Sequence, residues 1–308
     1  VLCMVLLQQM IALFLMMLVG YVCAKMGVLD AMASKKISWL VVNVGNPAMI
    51  LAAGMDNEIP VAPEKLMLVV VLAVIIYAAL IVISVFLPGL LCVDEQNAGI
   101  YRVMLIFSNI GFMGLPLISV LYGGESLLYT SIFFFPFNFL IYTYGIRAMK
   151  KNGKAKEKIR WSDICNIGVI TSVIALILYF GKICLPDFAV TTAQNLSNIT
   201  APLSMLVIGA SFLDFKIRDL FTDTRLLLFS GIKMLLIPLA GTWIIKQFVD
   251  DPMIVGVCMV MLATPVGSMT AMLAQQYDGN YDLAARGVAL TAILAVVTMP
   301  VVSVLMGV

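Results

Sequence analysis

Two short segments carry the residue types that can hold an anion without a full counter-charge. One is Phe107-Ser108-Asn109-Ile110-Gly111-Phe112-Met113-Gly114-Leu115-Pro116, where two glycines and a proline follow an amide. The other is Ala263-Thr264-Pro265-Val266-Gly267-Ser268-Met269-Thr270-Ala271, where a proline and a glycine sit among hydroxyls. Proline removes a helix donor and its ring clashes with the preceding turn, so neither segment is expected to run as an unbroken helix. A broken helix exposes half-helix ends, and each N-terminus offers free N–H groups and partial positive charge. Ser108, Asn109, Thr264, Ser268 and Thr270 would add neutral donors, so a carboxylate could be bound between the two breaks. The plain alternative is a proline kink in each; two breaks at matched positions favour paired unwound segments.

Lys233 is the one charge inside an apolar segment. It lies ~12 Å along the helix from Arg225 at 1.5 Å rise per residue, close to mid-depth of a bilayer core. Such a charge is either functional, balancing an anion, or a lysine that snorkels to the interface. All 17 acids fall in expected loops or at segment ends, and the chain has no His. A proton relay through intramembrane carboxylates or histidines therefore ranks low. Asn138 and Tyr142 stand i, i+4 on one helix face, a pair that would serve either a helix–helix hydrogen bond or a ligand.

The elements that must position these groups follow from composition. The 308 residues are 62% hydrophobic and 12% charged, with a mean hydropathy of +1.07. That is too much apolar surface for a soluble domain. Ten segments are long enough to cross a bilayer core: 4–24, 37–54, 66–91, 100–122, 126–149, 163–183, 191–213, 225–249, 253–275 and 283–307. The first lacks a basic n-region and a cleavage site, so it reads as a span, not a signal peptide. Because the chain begins with Val1, its natural start is expected to lie upstream. Six scattered cysteines form no CxxC pair, and without His no metal site is expected.

Asn43-Val44-Gly45-Asn46-Pro47 and Asn198-Ile199-Thr200-Ala201-Pro202 lie 155 residues apart, each within an apolar segment. Asn46, Pro47, Pro202 and Pro265 are the expected backbone breaks. Gly54 with Gly209, Tyr122 with Tyr277, and Asn109 with Thr264 repeat the spacing, which suggests a duplication. The stretch from Arg147 to Arg160 holds seven basic residues against Glu157 alone. Assigning it to the cytoplasm by the positive-inside rule puts 15 of the 19 basic residues on that side and both termini outside. Five spans per half then give the copies opposite topology. The expected organisation is an inverted repeat at 1–149, a basic linker at 150–160 and a second repeat at 161–308.

In these residues the chain resembles the auxin efflux carrier family, which includes plant PIN-type carriers and bacterial malate and malonate permeases. The resemblance spans essentially the whole chain. It is carried by Asn46-Pro47, Asn109 through Pro116, Asn138 with Tyr142, Ala201-Pro202-Leu203 to Gly209, Lys233 to Pro238, and Pro265 through Gln275-Gln276-Tyr277. It implies an all-α polytopic membrane protein of ten transmembrane helices in two inverted five-helix repeats with broken crossing helices, similar to the bile acid:sodium symporter fold. It also implies a scaffold of spans 1, 2, 6 and 7 and a moving transport domain of spans 3–5 and 8–10. Asn109, Pro116, Asn138, Tyr142 and Thr270 are then the implied site residues, with Pro47 and Pro202 assigned to the scaffold. Plant members carry a proline close to Met269-Thr270, so the second crossing is expected to be less sharply broken here. The long cytoplasmic loop of the plant carriers is reduced to the short basic linker.

The expected function is an elevator-type secondary transporter for a small organic anion such as a carboxylate, in a plasma membrane of bacterial type. Thr264, Ser268 and Lys233 complete the set of expected binding residues. A receptor using the same pocket without translocation is the alternative. An intramembrane enzyme lacks its residues: there is no His, no core carboxylate and no paired nucleophile and base. No cofactor is expected, although unwound carbonyls and hydroxyls could hold sodium, and uniport fits equally well. The expected partners are the anion and the lipid bilayer, with no nucleic acid; a homodimer through the scaffold would suit an elevator.

Overall fold

The protein is described by a computed structural model covering residues 2–55, 62–149, 167–183, 185–214, 220–277 and 279–308. The expected linker 150–160 lies outside the described residues. Regular structure among them is helical, and β pairing is limited to one isolated bridge, Ser108 with Val266. Four helices are long and apolar enough to cross a membrane: Pro63–Leu90, Gly124–Met149, Thr224–Lys246 and Tyr281–Met306. Shorter apolar helices include Ile11–Lys25, Ile110–Tyr122, Ile167–Phe180 and Pro252–Ala263. This is an all-helical, multi-pass membrane protein.

The helix Pro63–Leu90 shows why lipid must surround it. Leu66, Val69, Ala73, Ile76, Tyr77, Leu80 and Leu87 are buried on one face. The opposite face exposes Met67, Val70, Val74, Ile75, Val82, Phe86 and Leu90. A helix apolar on all sides belongs in a protein core or a membrane, and the exposed half has no protein cover among the described residues.

Prolines set the local backbone in a repeated way. The helix Ala31–Leu40 continues through a π-turn at Val41–Gly45 into Asn46–Met55. Further π-turns at Ile110–Gly114 and Ile232–Leu236 lead into the helices Leu115–Tyr122 and Ile237–Lys246. In each case the proline (Pro47, Pro116, Pro238) comes two residues after the π-turn. A proline ring displaces the carbonyl four residues back, so the turn before it widens to i→i−5 bonding: Asn46 N–H to Val41 O, Leu115 N–H to Ile110 O, Ile237 N–H to Ile232 O. Around Pro202 the helices Asp187–Asn198 and Thr200–Ser211 meet at Ile199.

Glycines set the closest helix contacts. A Cβ on Gly20 would collide with the Leu206 backbone, one on Gly209 with the Met17 backbone, and one on Gly54 with the Ala175 backbone. Small residues let helix backbones touch where lipid provides no hydrophobic drive. Leu2–Lys25 is thereby packed on Thr200–Ser211, and Asn46–Met55 on Ile167–Phe180. Gly45 likewise lies against the Thr200 side chain.

Polar contacts gather at the helix ends. Arg225 pairs with Asp94, Arg286 with Asp223 and Asp282, and Asn280 donates to Asn97. At the other end Lys65 meets Asp251 at 2.6 Å, and Tyr129 donates to Glu125. Asp251 also caps Pro252–Ala263 by accepting the Met253 and Ile254 N–H groups.

Two measurements follow. Gly209→Leu is expected to cost at least about 3 kcal/mol by overpacking against backbone, seen as a fall in Tm of roughly 6–12 °C. Gly231→Ala is its control, because nothing lies within 4 Å of that position. Partial burial would raise the Asp251 carboxyl, yet the Lys65 ion pair and the two capping N–H groups hold it below its ordinary 3.8. A lowered folded value means the contribution is complete above pH 3.8 and is lost as pH falls through the folded value. Asp251→Asn should therefore flatten the acid limb of a Tm-versus-pH curve.

Candidate functional site: a crossing of two interrupted helices

The helix Glu95–Ile106 stops one residue before Phe107, which is extended at φ −100, ψ 92. The helix Pro252–Ala263 stops before Thr264, extended at φ −62, ψ 143. Here the two segments meet edge to edge. Asn109 N–H donates to Pro265 O and Gly267 N–H to Phe107 O, both at 2.8 Å. Val266 N–H is taken by Thr291 Oγ1 at 3.0 Å, and Thr291 in turn donates to Gly287 O at 2.7 Å. Irregular backbone at this depth survives only if its polar groups are satisfied by protein or a watery cavity, and these bonds do much of that.

The sequence placed the first interruption after Asn109. The structure places it before, at Phe107–Asn109, because Gly111, Gly114 and Pro116 are accommodated in the π-turn and the helix after it. Asn109 is instead the N-cap of that helix, its side chain accepting Phe112 N–H at 3.3 Å.

Lys233 neither snorkels nor faces water. It is fully buried, and its ammonium donates to Leu105 O at 3.1 Å and to Ser108 Oγ at 2.6 Å. The reason lies in the crossing. In a continuous helix Asn109 N–H would bond Leu105 O; here it is diverted to Pro265, leaving Leu105 O as an orphan carbonyl at a half-helix C-terminus. Lys233 fills that vacancy and meets the negative end of the helix dipole.

The remaining expected residues divide. Thr264 is buried and spends its hydroxyl on Met261 O at 3.0 Å, while Ser268 is half-buried just before Met269–Gln276. Thr270 is fully buried and its hydroxyl has no hydrogen-bond partner among the described residues. Pro116 is buried in the first turn after the π-turn. Asn138 is buried and donates to Phe134 O at 2.8 Å; the neighbouring Phe137 ring packs edge-on against Phe107. Tyr142 lies in the π-turn Ile141–Gly145, and its side chain is outside the described residues. Pro202 is exposed.

Asn46 gains a role that its place beside Pro47 did not suggest. It is buried, its Oδ1 has no hydrogen-bond partner among the described residues, and its Nδ2 lies 2.8 Å from where a Cβ on Gly111 would fall. Thr291 was also missed, since a threonine in an apolar segment carries no signal of the backbone N–H it will meet.

Two interrupted helices crossing inside a multi-pass helical protein are the frame in which its relatives are compared. Residues 5–303 match the family model described as "Membrane transport protein". An "Uncharacterized transporter" of Methanothermobacter thermautotrophicus is 23% identical over 302 residues, covering 97% of this chain and 98% of its own. A second, "Uncharacterized transporter MJ1031" of Methanocaldococcus jannaschii, is 26% identical over 210 residues, 64% of this chain and 66% of its own. The chain belongs to this family of membrane transport proteins, the auxin efflux carrier family. It is a membrane transporter and not an enzyme.

The Asn46–Gly111 contact can be checked by a double-mutant cycle. Gly111→Ala should destabilise the protein by pressing on the Asn46 amide, and should cost less in an Asn46→Ala background. The expected coupling is about 0.5–3 kcal/mol from thermal or denaturant unfolding; strict additivity would remove the contact.

Proposed function

We propose that the protein is a secondary transporter for a small organic anion, a mono- or dicarboxylate, working by elevator-like alternating access in a plasma membrane of bacterial type. The observation that carries this reading is the buried Lys233 beside the crossing, with no carboxylate partner among the described residues. Removing an ammonium from water costs several kcal/mol, and a half-helix end returns up to ~2 kcal/mol. Two N–H···O contacts offset more of the cost, and a bound anion would supply the remaining charge. Asn109, Ser268 and Thr270 offer neutral groups around the same crossing, with Asn138, Tyr142, Thr264 and Pro116 as the neighbouring wall. Asn46 would face this site from the other domain.

The organisation we infer is two inverted five-span repeats, 1–149 and 161–308, joined by the linker 150–160, with both termini extracytoplasmic. Spans 1, 2, 6 and 7 form the scaffold, and spans 3–5 and 8–10 the moving domain. Contacts at the 155-residue offset support it. Gly45 touches Thr200, its own counterpart, as residues on a two-fold axis do. Gly54 touches Ala175, while its counterpart Gly209 touches Met17, three residues from the counterpart of Ala175, Gly20.

The test is uptake of labelled malate, malonate or indole-acetate into proteoliposomes. Asn109→Ala and Asn138→Ala are expected to insert normally and to lose about tenfold or more of the flux, since a hydrogen bond to a charged group contributes ~1.5–3 kcal/mol. Full-rate transport by both variants would reject the assigned site, and absence of flux for all three anions would reject the substrate class.

A further inference from the structure

Lys233 reaches the crossing from the π-turn Ile232–Leu236, and its two acceptors are a half-helix carbonyl, Leu105 O, and a hydroxyl, Ser108 Oγ. A carbonyl at a half-helix C-terminus and a nearby hydroxyl are the ligand types that coordinate small cations in transporters with discontinuous helices. Both are present here because the interruption freed Leu105 O and turned Ser108 toward it. The position is fully enclosed, so the positive charge there is held by the chain itself.

Resting on the transporter reading above, we propose that Lys233 is a tethered cation. It occupies a monovalent-cation position under the crossing, so that the protein works without a bound alkali ion at that point. The half-helix C-terminus keeps its neutralising charge through every step of the cycle, because the ammonium cannot dissociate. Truncating the side chain to Ala leaves the carbonyl and the hydroxyl facing a vacancy that a free monovalent cation fills. Truncation to Met fills the volume without charge and leaves no room for one.

The experiment is a Tm series on purified protein at equal ionic strength in sodium, potassium, methylammonium and choline chlorides. Wild type should give one Tm in all four. Lys233→Ala should have a lowered Tm in choline that rises by at least about 2 °C in sodium, potassium or methylammonium. Lys233→Met should respond to none of them. Should Lys233→Ala fail to fold in choline, purification in methylammonium is expected to recover it. A sodium-dependent Tm in wild type, or a Lys233→Ala protein that no small cation stabilises or recovers, overturns the proposal. Labelled malate uptake by wild type, with sodium replaced by choline, should be unchanged. Absence of any malate flux would count against the substrate reading alone, because the Tm series decides the tethered cation without it.

Discussion

The pair of backbone hydrogen bonds that joins Phe107–Asn109 to Pro265–Gly267 is the constraint on which the site depends. Two helices that stop within the protein leave carbonyls and N–H groups without intrahelical partners, and lipid cannot satisfy them. Pairing the two interruptions answers some of these groups. Thr291 answers the Val266 N–H, Asn109 caps the helix that follows, and Lys233 covers the Leu105 carbonyl that the pairing orphaned. The lysine is thus a consequence of the break as well as a source of charge beside it.

Around this crossing the helices are held by close fit more than by polar contacts. Gly20, Gly54 and Gly209 bring backbones together at three places, and Gly45 meets Thr200 in the same layer. Among the described residues the ion pairs lie at the helix ends, where water lowers both their cost and their contribution.

Some of this was legible in the chain. Pro265 and Gly267 stand where the second interruption falls, because proline and glycine act on the backbone within a few residues of themselves. The membrane class was legible in composition, since 62% apolar residues leave no other solvent. Less legible was how a proline would be absorbed. Pro47 and Pro116 read as breaks but follow π-turns inside continuous helices, and Pro202 follows a break at Ile199. A local rule says that a proline disturbs the preceding turn. Whether the turn widens or opens depends on what packs beside it.

Lys233 marks the boundary most clearly. Sequence alone determined that a charge sits deep in an apolar segment, that no acid lies near it in the chain, and that two proline-interrupted segments repeat at a matched spacing. Those are properties of composition and short-range stereochemistry. Only the tertiary structure decided that the charge meets Leu105 and Ser108, residues more than a hundred positions away, and that Asn46 faces Gly111. The partner of a buried polar group is chosen by whichever orphaned atom the fold brings within reach, and no local pattern encodes that choice.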